Sequence, residues 1–439
     1  MEVLVKASQL ILSLSLLIVL HEAGHFIPAR LFKIRVEKFY LFFDPWFSLF
    51  KRKRGDTEYG IGWLPLGGYV KISGMVDESM DKEQMKLPPQ PWEFRAKPAW
   101  QRLIVMLGGV TVNVILGFLI YMMIAFTWGD TTLPNANVKY GIMCDDIALN
   151  MGLMNGDKIV SVDGEKLEAF NDLNRRLMLD RPGTIEVNRN GELKTIQIPR
   201  NFADTALSKG IKASISPRTV FAIAEVQKNS GADKGGVKEG DIIVSLNGEK
   251  LPFYDMYRSR LPKLKNTNTA IGVVRSGKYQ ELNVHLDSVG MMGVAAVSPS
   301  FLLGLQTTHY SFFEAIPKGV SLGVHTLVDY IKQFRLIFSK AGVKQIGGFG
   351  TFGSLFAPVW DWESFWKLTA FISIILAVMN VLPIPALDGG HVMFLLYEII
   401  TRRKPNQKAM EYAQMAGMIV LLALFLFANG NDVFRHFRH

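Results

Sequence analysis

Four long apolar stretches limit what this chain can fold into. They lie at residues 7–31, 103–128, 365–400 and 410–428. A helix of about 20 predominantly apolar residues crosses the hydrocarbon core of a bilayer, and each stretch is long enough to do so. The sequence therefore predicts a polytopic α-helical membrane protein with four transmembrane helices and polar segments between them.

Basic residues lie beside these stretches on one side of the predicted membrane. They follow the first stretch, precede the second and follow the third: Arg30, Lys33, Arg35, Lys38, Arg95, Lys97, Arg102, Arg402, Arg403, Lys404 and Lys408. Because loops rich in Lys and Arg stay in the cytoplasm, we expect both termini and the segment from 129 to about 363 on the outer side. Only Arg435 and Arg438 in the tail oppose this orientation. The net charge of +10 gathers at these flanks, which favours a lipid bilayer over nucleic acid as partner.

The first apolar stretch contains the motif H-E-x-x-H. On a helix, His21 and His25 are one turn apart, so both imidazoles can bind one metal while Glu22 lies near the open coordination position. This is the layout of a zinc peptidase. The alternative is a soluble amphipathic helix whose histidines only pack, but ionisable groups at membrane depth are costly and indicate a function.

The third apolar stretch is interrupted at its middle by the sequence N-x-x-P-x-P-x-L-D-G-G-H, residues 380–391. Prolines and glycines break a helix, and broken backbone at that depth is tolerated only where it lines an enclosed cavity. A zinc peptidase needs a third protein ligand, for which Asp388, His391 and Glu398 are the intramembrane candidates. Asp388 lies in the break itself and is the natural choice. We expect His391 to be a supporting group, and Glu398 to lie near the far interface.

A glycine-rich segment at residues 55–71 lies in the first cytoplasmic loop. It is apolar but too short to span, and its glycines suit strands that bend or allow a close approach of another backbone. A hairpin that dips into the membrane fits this composition, and an ordinary surface hairpin fits it equally well.

The outer region contains an internal repeat. Residues 152–167 return as residues 236–251, with the shared core G-D-x-I-V-S-x-(D/N)-G at a constant offset. A spacing of this size is typical of two tandem small domains. The core resembles that of the PDZ domain, which binds an extended peptide by strand addition. A pair of scaffolding sandwiches is the alternative.

After the repeat, Ser311 and Glu314 form a capping box that predicts a helix running towards Ser339 along the membrane surface. The expected domains are transmembrane helices 1 and 2 with the re-entrant hairpin at 1–128, the two PDZ domains at 129–218 and 219–306, the amphipathic surface-helix region at 307–363, and transmembrane helices 3 and 4 at 364–439.

Taken together, the H-E-x-x-H motif, the doubled PDZ core and the N-x-x-P-x-P-x-L-D-G motif resemble the site-2 protease family. The resemblance implies zinc bound by His21, His25 and Asp388, with Glu22 as the catalytic base. It further implies that four residues contact the substrate. One is Asn380, and the other three, in a membrane re-entrant β-loop, are Gly67, Gly68 and Tyr69. Many members carry a Gly-Pro motif before the third span, where this chain has the glycine-rich residues 347–353.

The expected function is that of an intramembrane zinc endopeptidase of the bacterial inner membrane, with its PDZ domains on the periplasmic side. Its substrates would be single-pass membrane proteins that have already lost their outer domain, such as an anti-sigma factor, and remnant signal peptides. The PDZ pair would exclude untrimmed substrates by size. The rival interpretation is a catalytically silent PDZ scaffold.

Overall fold

The computed structural model describes residues 1–65, 67–75, 87–210, 214–337, 340–343 and 346–438. The chain separates into two units. One comprises Met1–Gly129, His309–Phe338 and Val343–His439, and the other comprises Asp130–Thr308 with Ser339–Gly342. Among the described residues, four helices are long and apolar enough to cross a bilayer, at Glu2–Leu31, Ala99–Thr127, Trp362–Val381 and Lys408–Phe434. The first, second and fourth predicted apolar stretches are therefore helical, and the third is helical on both sides of its predicted break.

The N-terminal part of the first unit contains two of these helices with a small sheet between them. Its elements are α1 (Glu2–Leu31), β1 (Val36–Leu41), β2 (Phe43–Arg54), β3 (Thr57–Leu64), β4 (Tyr69–Ile72) and α2 (Ala99–Thr127). The strand order is β2-β3-β1-β4, with β1 parallel to β3 and antiparallel to β4.

This sheet corrects the predicted hairpin over residues 55–71. The hairpin is instead formed by β2 and β3 around Gly55, whereas β4 pairs with β1. Leu66, which the prediction also included, lies outside the described residues. The sequence did not predict β1 and β2 because they contain basic residues, Lys38 in β1 and residues 51–54 in β2, and lack the glycine pattern that marked the following strands.

The second unit contains both copies of the repeat. Its strands are β5 (Asp130–Thr132), β6 (Ile142–Cys144), β7 (Lys158–Val162), β8 (Glu165–Lys166), β9 (Thr184–Arg189), β10 (Glu192–Gln197), β11 (Ile215–Pro217), β12 (Phe221–Val226), β13 (Ile242–Leu246), β14 (Glu249–Lys250), β15 (Asn268–Arg275), β16 (Lys278–His285), β17 (Val294–Ala296) and β18 (Gln306–Thr308). Short helices separate them: α3 (Asp146–Asn150), α4 (Asp172–Arg175), α5 (Phe202–Ser208), α6 (Gly231–Lys234), α7 (Tyr254–Arg258) and α8 (Pro299–Leu302).

The two copies of the repeat fold alike. In each, an aspartate after the shared glycine is buried and bound by an arginine from a later strand, at 2.7 Å in Asp157–Arg189 and at 2.7 Å in Asp241–Arg275. Each copy also has its own apolar core. Strands β5 and β18 pair antiparallel, so the two ends of the second unit lie side by side.

The C-terminal part of the first unit contains α9 (Phe312–Ile337), α11 (Phe349–Ser354), α12 (Trp362–Val381), α13 (Asp388–Thr401) and α14 (Gln407–Arg438), while α10 (Lys340–Val343) lies at the boundary between the units. The predicted capping box opens α9, because the Glu314 carboxylate accepts hydrogen bonds from Ser311 N and Oγ. The predicted end at Ser339 lies outside the described residues.

Helix α9 packs along α2, a partner that its amphipathic pattern did not predict. A Cβ atom on Gly319 would come within 2.5 Å of Met122, and a Cβ atom on Gly323 would lie at least as close to the ring of Phe118. Small residues of this kind let helix backbones approach in a membrane. The first turns of α9 therefore lie beside α2 in the opposite chain direction.

Candidate functional site

Helix α1 carries the H-E-x-x-H motif at the point where it meets α2. A Cβ atom on Gly24 would collide with the Gly108 carbonyl oxygen, and a Cβ atom on Gly108 would collide with the Gly24 carbonyl oxygen. The two backbones can therefore touch only because both positions are glycine. This contact brings the Val105 carbonyl within 2.8 Å of His25 Nδ1, which donates a hydrogen bond to it. The bond leaves the lone pair of His25 Nε2 for a metal.

Asp388 is the first residue of α13, directly after the break that follows α12. The turn is tight, since Gly389 and Gly390 lie against the carbonyls of Val381, Leu382 and Ile384 with no room for a side chain. Ala386 has a φ of 80°, a strained conformation for a residue other than glycine. Such strain concentrates at functional sites.

Three ligand atoms from these two elements form a nearly equilateral triangle. His21 Nε2 and His25 Nε2 are 3.3 Å apart, and Asp388 Oδ2 lies 3.4 Å from the first and 3.3 Å from the second. In a tetrahedral site with ligands about 2.0–2.1 Å from zinc, neighbouring ligand atoms are about 3.3–3.4 Å apart. Asp388 Oδ2 is buried and has no hydrogen-bond partner among the described residues. The arrangement fits a zinc ion.

The other two ligand candidates in this part of the chain are engaged elsewhere. His391 Nε2 lies 2.8 Å from Gln414 Nε2 in α14. Glu398 forms an ion pair of 2.6 Å with Arg102 at the start of α2. Of the three candidates, only Asp388 reaches the histidines.

Asn113, in α2, is a site residue that the sequence interpretation missed. Its Nδ2 lies 3.1 Å from His21 Nδ1, its side chain is fully buried, and its Oδ1 has no partner in the described part of the chain. With the amide turned over, Oδ1 accepts a hydrogen bond from His21 Nδ1–H and leaves His21 Nε2 for a metal. The available signal was an amide side chain at membrane depth.

The predicted substrate contacts lie at different distances from the triangle. Asn380 Nδ2 is 3.4 Å from His21 Nε2. A Cβ atom on Gly68, just before β4, would meet Ile18 at 2.5 Å and lie 3.5 Å from Glu22 Cγ. The sheet therefore borders α1 beside Glu22.

Gly67 and Tyr69 face the aromatic side chains of the sheet. The Tyr69 ring stacks on Tyr40 with centroids 5.3 Å apart, and its hydroxyl donates to Asp44 Oδ1 at 2.8 Å. A Cβ atom on Gly67 would lie 2.9 Å from the Phe43 ring. The Tyr69 side chain therefore ties the start of β4 to Tyr40 and Asp44, and Gly67 lies close to the Phe43 ring.

Comparison with known proteins gives a consistent result over nearly the whole chain. The model of peptidase family M50 matches residues 9–424. A protein of Campylobacter jejuni, named as a zinc metalloprotease, is 29% identical over 97% of this chain and 92% of its own length. The regulator of sigma E protease of Haemophilus influenzae is 26% identical over 97% of this chain and 98% of its own length. A protein of Treponema pallidum, also named as a zinc metalloprotease, is 24% identical over 96% of this chain and 97% of its own length.

Proposed function

The chain belongs to peptidase family M50, the site-2 proteases, and is a zinc metalloprotease; from this premise we propose that it cuts its substrates within the membrane. We assign His21, His25 and Asp388 as the zinc ligands. The observation that carries this proposal is the triangle of their ligand atoms, 3.3–3.4 Å on each side, which joins α1, a helix apolar enough to span a bilayer, to the start of α13.

A zinc ion in this site supplies Lewis acidity, which polarises a carbonyl and acidifies water. Glu22 is the proposed general base, which takes the proton of the attacking water and passes it to the leaving amine. His25 is held in orientation by the Val105 carbonyl, and His21 by Asn113. Asn380, at 3.4 Å from His21 Nε2, binds a released amide or carbonyl of the substrate.

The proposed substrates are single-pass membrane proteins that have lost most of their outer domain. The relative named regulator of sigma E protease favours an anti-sigma factor as one of them. Remnant signal peptides form a second class, because they are short apolar helices without an outer domain. The proposed location is a bacterial inner membrane, with both termini and the repeats on the periplasmic side.

The test of this function is cleavage of a trimmed single-span protein by the purified full chain in liposomes. Mass spectrometry of the products should place the cut within the span. A cut confined to the soluble flanks of the substrate would contradict the proposal.

Strand β4 is the proposed place where a substrate is held extended. A membrane-spanning substrate arrives as a helix, whose amides are bonded internally, whereas a peptidase needs an extended backbone. Strand β4 lies at one end of the sheet, pairs with β1 and with no other strand among the described residues, and begins beside Glu22. Strand addition there would satisfy the backbone groups of an unwound substrate.

Proline substitutions in β4 should therefore reduce cleavage, because proline removes a backbone donor. Successive residues of a strand direct their N–H groups to opposite edges, so one of Val70 and Lys71 donates towards β1 and the other towards the free edge. One of the two variants Val70→Pro and Lys71→Pro therefore removes a donor from the free edge. Val70→Ala and Lys71→Ala keep the backbone donor and are the matched controls. Initial rates and zinc content would be measured for all four. If both proline variants kept their zinc and cut at the wild-type rate, strand addition would be excluded.

The two repeats are proposed to be PDZ domains, at 129–218 and 219–306, that restrict access by size. Their likeness of fold and the equivalent Asp157–Arg189 and Asp241–Arg275 pairs support two copies of one domain. A folded outer domain on the substrate would clash, while a trimmed substrate would enter. The alternative mechanism is capture of a new C-terminal carboxylate at the Gly152 and Gly236 loops, which would make the repeats necessary for cleavage of trimmed substrates.

Removing residues 133–305 separates these two mechanisms. Because β5 and β18 pair antiparallel, a short linker from Thr132 to Gln306 can close the gap. If size exclusion operates, this variant should cut untrimmed substrates, which the full chain rejects. If capture operates, it should stop cutting trimmed ones. Continued rejection of untrimmed substrates by a variant that retains zinc would contradict the size filter.

A further inference from the structure

Strand β2 changes character abruptly along its length. Its first part carries exposed aromatic and aliphatic side chains, namely Trp46, Phe47, Leu49 and Phe50. The next four residues are Lys51, Arg52, Lys53 and Arg54, all exposed. In the part of the chain that the structure describes, no ion pair engages these four cations. An apolar end followed by a basic end is the pattern of a segment that crosses from hydrocarbon to lipid headgroups.

The apolar end is a built structure. Between the pairs Phe43–Leu64 and Ser48–Gly62, β2 bulges away from β3. Trp46, at the bulge, is 90% exposed and has a φ of 75°. The bulge is held by Asp44, which accepts a hydrogen bond from Ser48 Oγ at 3.0 Å, and by the Trp63 indole, which donates to the Pro45 carbonyl at 2.8 Å. A strained backbone conformation that exposes a tryptophan indicates that this side chain has a functional role.

A cleft of about 500 Å³ lies at the basic end of the same strand. It is lined by Arg30, Lys33, Ile34, Arg35, Asp56 and Trp92. Three cations and one carboxylate give it a net charge of +2, from 3 minus 1. The volume is in the range of small-molecule sites, and arginine forks match phosphate oxygens.

The cleft and the basic residues 51–54 lie at the same end of the sheet, next to the chain that leaves α1. Asp56 belongs to the turn between β2 and β3, and Thr57 Oγ1 donates to the Val36 carbonyl at 2.8 Å. The turn is therefore fixed to the chain that leaves α1. The cytoplasmic end of α1 and the change from Phe50 to Lys51 thus mark the same membrane interface, with Trp92 as an interfacial aromatic.

We propose that this cleft binds the phosphate of an anionic phospholipid from the cytoplasmic leaflet. Arg30, Lys33 and Arg35 contact the phosphate, the run Lys51–Arg54 draws in anionic headgroups, and the apolar part of β2 enters the acyl region. The charge complementarity selects an anionic lipid over a zwitterionic one. The lipid fixes the depth of the sheet whose strand β4 begins beside Glu22.

The test is native mass spectrometry of the purified full chain with short-chain phosphatidylglycerol or phosphatidylcholine. We expect selective retention of phosphatidylglycerol. Each basic side chain near an anionic surface contributes about fivefold to binding, so Arg30→Gln/Lys33→Gln/Arg35→Gln should raise the Kd about 100-fold. Lys209→Gln/Lys250→Gln/Lys278→Gln removes the same charge from the second unit and should leave the Kd unchanged. Zinc content reports whether each variant is folded.

Two further arms identify what is recognised. Arg30→Lys/Arg35→Lys keeps the charge but removes both guanidinium forks, and should still weaken phosphatidylglycerol binding. Inorganic phosphate at millimolar concentration should not displace the lipid. Equal retention of the two lipids, displacement by free phosphate, or an equal loss in the second-unit control would each overturn the proposal.

Discussion

Glu22→Gln is expected to abolish cleavage and leave zinc binding intact. Glutamine has the shape of glutamate but cannot take a proton, and a positioned general base contributes about 10²- to 10⁴-fold to a rate. His21 and His25 belong to the ligand triangle and Glu22 does not, so the variant should bind as much zinc as the wild type. Product formation from a trimmed single-span substrate and zinc per chain would be measured on the same preparations.

The matched control is Glu2→Gln, the same chemical change at the start of the same helix. It should cut at the wild-type rate. Comparable cleavage by Glu22→Gln would remove Glu22 from the mechanism. Absence of cleavage by the wild type, with zinc bound and trimmed substrates present, would favour the silent PDZ scaffold.

Much of the candidate site was predictable because its signals are local or depend on the membrane. His21 and His25 are adjacent on any helix, so their spacing alone places both imidazoles on one face. Asp388 could be chosen because prolines and glycines mark a break, and a break within an apolar stretch needs an enclosed polar environment. The hydropathy of the four stretches likewise does not depend on their partners.

The remaining features depend on contacts between segments that are distant in sequence, and no local sequence pattern indicates which segments pack together. Asn113 reaches His21 only because Gly24 and Gly108 let two helices touch. Strand β4 pairs with β1 across about 30 residues, and no turn signal links the two. Helix α9 has an amphipathic pattern that suits a membrane surface, but its glycines lie against α2.

Gly109→Ala is expected to empty the proposed zinc site although it replaces none of the three proposed ligands. A Cβ atom at this position would collide with His25 Nε2 and lie 2.6 Å from His21 Cε1. Helix α2 cannot withdraw freely, because the contact of Gly24 with Gly108 and the Val105–His25 hydrogen bond lie on the adjoining turn. The imidazoles must therefore move, while metal sites tolerate only about 0.2 Å of displacement.

Gly117→Ala is the control for this variant, since it adds the same methyl group to the same buried face of α2. Its Cβ atom would meet Ile374 Cδ1 at 2.8 Å and Cγ1 at 3.0 Å, so the added methyl group presses on an apolar side chain of α12 and on none of the proposed ligands. Disturbing a group that orients a ligand costs about 10- to 100-fold in metal affinity or activity, so Gly109→Ala should lose zinc and cleavage together by at least that factor. Gly117→Ala should keep both. Equal zinc content in the two variants would mean that the histidines do not have to hold their observed positions, and the triangle would then not be the metal site.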